Sequence, residues 1–232
     1  MMPEIVFKED THQYFVDGVE KIYPSKVLKE LHLTKEYGAI DPAVVENAAM
    51  RGSAVHKLLE YKTKGELDQY EIPEELRPYL DAHELFLQET KFKADPTACE
   101  LKLYSAHHDY CCTLDIVGIL DGEIVVIDYK TSSAHDKAVE LQTAAQFIAY
   151  NEWHQIHPAM KRYSLQLRKN GKYTLRDHSN VSAFLWIDAL KLYRWKTTEN
   201  KRGKREVMPD VQKESEGSGE VYEDGSTVQA LP

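Results

Sequence analysis

The chain of 232 residues has only three cysteines, Cys99, Cys111 and Cys112. The number is odd, two are adjacent, and all three sit in strand-like sequence. That argues against a disulfide framework and for buried free thiols. No run of about 18 apolar residues occurs, so no membrane-spanning helix is expected. The opening MMPEIVFKED lacks the basic start and apolar core of a secretory signal, which makes the cytoplasm the default location. No glycine-rich loop ending in Gly-Lys-Ser/Thr is present, so the phosphate grip of a nucleotide-driven motor is missing. Basic charge is also short. The net charge is −9, the wrong sign for a nucleic-acid binder, but its distribution alters that reading. From Glu206 to Pro232 seven acids stand against one lysine. The remainder is therefore close to neutral, and a local basic groove fits within it. The same acidic stretch is rich in Glu, Gly and Ser and is expected to be disordered. What precedes it, residues 1–205, suits a single domain with one core, since 42% of the whole chain is hydrophobic.

That domain is organised around Thr113 to Thr131, TLDIVGILDGEIVVIDYKT. Leu114, Ile116, Val117 and Ile119 make one apolar strand, and Asp121-Gly122 is a hairpin turn. Glu123 to Tyr129 is a β-branched run expected to be buried on both faces. Two acids interrupt the pair, Asp115 and Asp128, and Lys130 follows. Alternation puts Asp128 and Lys130 on one face. Pairing 119 with 124 sets Asp115 opposite Asp128. Two carboxylates and an ammonium thus converge at the edge of a buried sheet. Burying them unpaired is costly, and a divalent cation relieves that cost.

On either side the pattern is mixed. Ile5 to Val16 reads as a strand pair, Asp17-Gly18 as a turn and Glu20 to Tyr23 as a short strand. Ser25 is a plausible N-cap for a helix over Lys26 to His32. Pro42 to Lys64 is a long helical pattern that carries Arg51-Gly-Ser53-x-x-His56. A second helix is expected over Pro73 to Lys91, with Leu76, Leu80, His83 and Leu87 near one face. Asp95-Pro96 reads as a turn. Thr97 to Ser105 is a strand in which Glu100 and Lys102 share a face. Ala134 to Glu152 is a helix with Gln142, Gln146 and Tyr150 four apart on one stripe. Lys161 to Arg168 and Lys172 to Arg176 form a last hairpin about Asn170-Gly171, and Val181 to Trp195 is an apolar helix. The basic run from Lys196 to Arg205 serves equally well as a phosphate contact or as a solvated end that complements the helix dipole.

An acid on one strand, then Asp128-x-Lys130 on the next, resembles the PD-(D/E)XK nuclease superfamily. The helix motif Arg51-Gly-Ser53-x-x-His56 and the Gln/Tyr helix narrow the resemblance to its RecB-type branch, in the style of stand-alone phage exonucleases. The resemblance covers Arg51 to Tyr150. It departs at Cys112, where many relatives have glycine. It implies an α/β restriction-endonuclease-like core, a central mixed β-sheet flanked by helices, with an N-terminal hairpin and helical segment over 1–41 and the catalytic core over 42–198.

The implied chemistry is Mg²⁺- or Mn²⁺-dependent hydrolysis of DNA phosphodiester bonds. Asp115, Asp128, Lys130 and Glu100 are the implied catalytic residues. His56, Asp115, Asp128 and the Tyr129 carbonyl are the implied metal ligands. Gln142, Gln146 and Tyr150 would position DNA, with the register among them open, and Arg51 and Ser53 would either touch its backbone or cap and solvate their helix. Iron–sulfur relatives use four cysteines flanking the core, so no cluster is expected. The implied substrate is linear DNA at its ends, in recombination, repair or phage DNA processing, alone or beside a separate recombination or replication protein. A structure-specific endonuclease with the same site, or a DNA-binding module with a decayed site, are the alternatives.

Overall fold

The computed structural model describes residues 3–35, 38, 40–68, 72–132, 136–155 and 158–203. Contacts divide the chain into Met1–Lys196 and Thr197–Pro232. The sheets, the helical layers and the candidate site belong to the first unit. In the second, the described residues only continue the last helix. The acidic tail 206–232 lies outside the described residues. Among the described residues, no helix is long and apolar enough to cross a membrane.

The central sheet has five strands in the order β4-β5-β6-β7-β8. They are β4 (Lys93–Ser105), β5 (Tyr110–Leu120), β6 (Glu123–Lys130), β7 (Lys161–Leu167) and β8 (Tyr173–Asp177). All neighbours are antiparallel except β6 and β7. A parallel pair needs a crossover, and α4 (Ala138–Trp153) supplies it. The fold is therefore the mixed α/β architecture expected, with helices on both faces. On one face α2 (Pro42–Lys64) and α3 (Arg77–Thr90) bury Val55, Leu59, Tyr79 and Phe86 against Ile116, Ile127 and Leu165. On the other face α1 (Pro24–Glu30), α4 and α5 (Phe184–Gly203) bury Val27, Ala145, Trp186 and Leu190 against Leu114, Val117 and Val126. Period-2 alternation along the strands feeds both layers, which is why β6 reads as an unbroken apolar run.

A separate three-stranded sheet precedes this core: β1 (Ile5–Lys8), β2 (Gln13–Val16) and β3 (Val19–Lys21). The third strand is shorter and earlier than its expected span, because Ile22 leaves the small sheet and bridges to Tyr110 at the start of β5.

The central hairpin has the expected register. Ile119 pairs with Ile124 and Ile116 with Ile127. Asp121 and Gly122 both have positive φ, 52° and 83°, the two-residue turn whose twist matches its strands. Three boundaries differ from expectation. The first helix begins at Pro24 with Tyr23 before it, and Ser25 makes no cap. Proline pre-sets φ and lacks the N–H a cap would satisfy. The crossover helix begins at Ala138, because Asp136 turns the chain there with its carboxylate on the Ala138 N–H at 3.0 Å. Asp95-Pro96 lies inside β4, at a register break between Ala94 and Cys99, where the Asp95 carboxylate accepts the Thr97 N–H.

Candidate metal centre

The site forms where the sheet opens. β5 and β6 pair as far as Ile116 and Ile127 and then part. The Asp115 side chain fills the gap, and its Oδ2 accepts the Tyr129 N–H at 2.6 Å. Asp115 is buried. Across the other flank of β5, the ladder places Glu100 opposite Asp115, between the pairs Cys99–Ile116 and Leu101–Leu114. Glu100 has φ of 51°, a left-handed conformation that costs a non-glycine residue on the order of 1–2 kcal/mol. Both strands change parity at this point. Cys99 and Ile116 face the α2–α3 layer, while Leu101 and Leu114 face the α4–α5 layer. The twist in β4 delivers the Glu100 carboxylate to the same place as that of Asp115.

His56 arrives from α2. Its Nδ1 lies 3.4 Å from Glu100 Oε1 and 3.6 Å from Asp115 Oδ1. Its Nε2 is 3.2 Å from the Tyr129 carbonyl oxygen. An N–H at Nε2 donating to that carbonyl leaves the Nδ1 lone pair facing the two carboxylates, the usual way a ligating imidazole is oriented. Burial works to lower the pKa of His56, but the Asp115 charge and the Glu100 hydrogen bond outweigh it and raise it to about 9. Burial, with Asp128 and Glu100 adding to it, raises that of Asp115 to about 7 against the pull of His56. Both shifts favour the protonated forms of His56 and Asp115.

The donor set is one that can hold a metal ion: among the described residues, His56, Glu100 and Asp115 offer ligand atoms within 4.8 Å of one another. Bonds of about 2.1 Å in an octahedral site put neighbouring ligands roughly 3 Å apart and opposite ones roughly 4.2 Å apart. The observed spacings of 3.4 and 3.6 Å need only a small contraction. Two carboxylates with one imidazole form a donor set for a divalent cation.

Asp128 and Lys130 lie beside this group but form their own pair. Lys130 Nζ is 2.6 Å from Asp128 Oδ2. Burial works against the charged ammonium, yet Asp128 and Asp115 together raise the pKa of Lys130, so it stays protonated. Gln146 on α4 is buried and donates from Nε2 to Asp128 Oδ1 and to the Thr113 carbonyl, both at 3.1 Å. Gln142, one turn earlier, accepts from Lys130 Nζ at 3.3 Å. Tyr150, a further turn on, is buried in the α4–α5 layer with its ring stacked on His154 at 4.0 Å. The structure therefore brings Gln146 to Asp128 and Gln142 to Lys130, and takes Tyr150 into the core. Ser53 lines the cleft over the metal group. Arg51 lies on the far side of α2, in a separate cavity with Tyr79 and Thr131. The Tyr129 carbonyl faces His56 Nε2.

Two contributors lie outside the site residues that the motifs pick out. His83 on α3 is buried, and its Nε2 is 3.2 Å from the Tyr129 hydroxyl. It thus fixes the residue between Asp128 and Lys130 from behind. The small N-terminal sheet supplies aromatic side chains to the cleft. Their density in the first 23 residues was the available signal.

No family model matches the sequence. No curated protein matches it. Among solved structures, the chain is similar to a crystal structure of a "Putative exonuclease" from Eubacterium rectale, at 10% identity, over 74% of this chain and 77% of that one, with a TM-score of 0.43. At that similarity the comparison bears on neither family nor activity.

Proposed function

We propose that this protein is a Mg²⁺- or Mn²⁺-dependent deoxyribonuclease of the PD-(D/E)XK type, acting as an exonuclease on linear DNA. The observation that carries the reading is the meeting of His56, Glu100 and Asp115 at a fork in the sheet, with the Asp128–Lys130 pair beside them. In this reading His56, Glu100 and Asp115 hold the cation. When bound, it supplies charge relief at the phosphoryl oxygens and acidifies a water.

The protein's own groups do the rest. Lys130, kept as an ammonium by its acidic neighbours, stabilises negative charge that builds on the phosphate. It does not serve as a base in that state. Gln146 fixes the Asp128 carboxylate, and Asp128 in turn holds Lys130 in place. The Tyr129 carbonyl orients the His56 ring. A separate recombination or replication protein would bring DNA ends to such a module.

The test is digestion of end-labelled single- and double-stranded linear DNA, with a closed circle alongside, in Mg²⁺, Mn²⁺ and EDTA. Metal-dependent loss of the linear forms alone, absent in Lys130→Ala, is the expected result. Cutting of the circle moves the assignment to an endonuclease. DNA binding with no cleavage in either metal refutes the catalytic reading and leaves a binding module.

A further inference from the structure

The cleft over the metal group has a second wall, built by the N-terminal sheet. The cleft encloses 640 Å³ and is lined on that side by Phe7, His12, Tyr14 and Tyr23. Phe7 and Tyr14 are cross-strand partners with ring centres 4.6 Å apart. His12, held at φ 50° in the β1–β2 turn, brings its ring to 5.1 Å from Phe7 and 5.2 Å from Tyr23. The Tyr14 hydroxyl bonds to Thr113 Oγ1 at 2.8 Å. Thr113 is two strand residues before Asp115, a rise of about 7 Å along β5, and both residues line the cleft.

The wall is not simply a core. The N-terminal sheet buries only Tyr14 and Val16, together with Cys111 of β5. Phe7 and Tyr23 are half-buried and His12 is exposed. The His12 ring lines the cleft beside those of Phe7 and Tyr23. Lys102 Nζ stands 5.6 Å from the centre of the Phe7 ring. Flat rings beside a cation, next to a phosphate-directed centre, form the chemistry that holds unpaired nucleotides: bases stack on the rings and the backbone is met by positive charge. The volume is that of a small-ligand pocket, room enough for a nucleotide.

We propose that this aromatic wall stacks an unpaired nucleobase adjacent to the phosphate at the metal group, so that the strand enters the cleft single-stranded. The inference rests on the nuclease reading and adds the substrate form. Because every base has a π-face, the wall selects for lack of pairing and not for sequence.

The test is a binding titration of the full chain in Ca²⁺ with a single-stranded oligonucleotide carrying 2-aminopurine, the blunt duplex of the same sequence, and an abasic deoxyribose-phosphate oligomer. Quenching on binding and at least a tenfold preference for the single strand are expected. Phe7→Leu should weaken single-strand binding roughly tenfold, the loss of about one stack, with the abasic oligomer unaffected. His12→Asn, which keeps a residue tolerant of the left-handed backbone, should act the same way at an exposed position where folding is not in question. Unchanged affinity in His12→Asn and in folded Phe7→Leu overturns the proposal, as does an equal loss on the abasic oligomer. Quenching by wild type that then cuts nothing in Mg²⁺ or Mn²⁺ leaves the wall standing and refutes the nuclease reading instead.

Discussion

The Asp115 carboxylate takes the hydrogen bond from the Tyr129 backbone N–H at the point where β5 and β6 cease to pair. One side chain thus closes a gap in the sheet and presents its other oxygen to His56. The two tasks separate on mutation. Asp115→Ala leaves a buried N–H without a partner, costing about 1–3 kcal/mol. Asp115→Asn keeps an acceptor and should melt within about 1 kcal/mol of wild type, while cleavage falls by at least about 100-fold, the loss of several kcal/mol of charge stabilisation. Melting curves and turnover on the same two variants check this. Normal turnover in Asp115→Asn would remove the residue from the site.

Asp128 is fully buried, whereas a quarter of the Lys130 side-chain surface stays exposed. Breaking an enclosed pair by removing one partner costs ~3–5 kcal/mol, and the exposure of Lys130 brings Asp128→Ala below that range. Asp128→Asn retains the acceptor for Gln146 and is the cleaner variant. It should stay folded, bind DNA and lose cleavage. A double-mutant cycle with Lys130→Met would show coupling, since the two groups share one contact.

The metal group should make stability and cation affinity respond to pH in opposite directions. His56 is raised to about 9, so its stabilising contribution is complete below the unfolded value near 6.5 and is lost as pH climbs through 9. Asp115 is raised to about 7, so ionising it weighs against the fold increasingly from about pH 4 to 7. The metal-free protein, held in EDTA, should therefore melt lower at pH 9.5 than at pH 6. Cation uptake displaces the same protons. The Kd for Mn²⁺ should fall about tenfold per pH unit between 7 and 9, where one proton is lost, and level off above. Calorimetry in buffers of different ionisation enthalpy counts the proton. A Kd that does not change from pH 6 to 9 would show that these groups do not take the ion.

Gly118 in β5 has no room for a side chain. A Cβ there would stand 2.4 Å from the Lys93 carbonyl oxygen and 2.4 Å from the Phe92 ring. Gly118→Ala should cost about 1–3 kcal/mol, read as a lower melting temperature, with no change in the cleavage rate of the protein that remains folded.

The hairpin at Asp121-Gly122 was legible to the residue, because a two-residue turn fixes register and the register places Asp115 by Asp128. The helix over Pro42–Lys64 was equally legible, with Asp41 and Pro42 opening it and the left-handed Gly65 closing it. Glu100 was legible as a strand acid on a common face with Lys102, and both line the cleft. The left-handed turn at Glu100, which sends Cys99 and Leu101 into opposite layers, was not legible. The distinction between Gln146 and Tyr150 was also out of reach. Both lie on one helical stripe, and only the packing of α4 decides that one meets Asp128 while the other stacks on His154. The Tyr14–Thr113 and His83–Tyr129 contacts span 99 and 46 residues, a separation over which local pattern is silent.

The crossover through α4 bears on the life of the chain before it is finished. Glu100, Asp115, Asp128 and Lys130 are all made before α4, and the β7 strand that pairs with β6 comes last of this group. Parallel pairing must wait for its whole connection, and a chain emerges N-terminus first. On the ribosome the acids are thus present while Gln146 and β7 are still to come. The contacts that fix Asp128, and the strand that pairs with β6, are supplied only by segments made after the acids themselves, so the site is assembled late in synthesis.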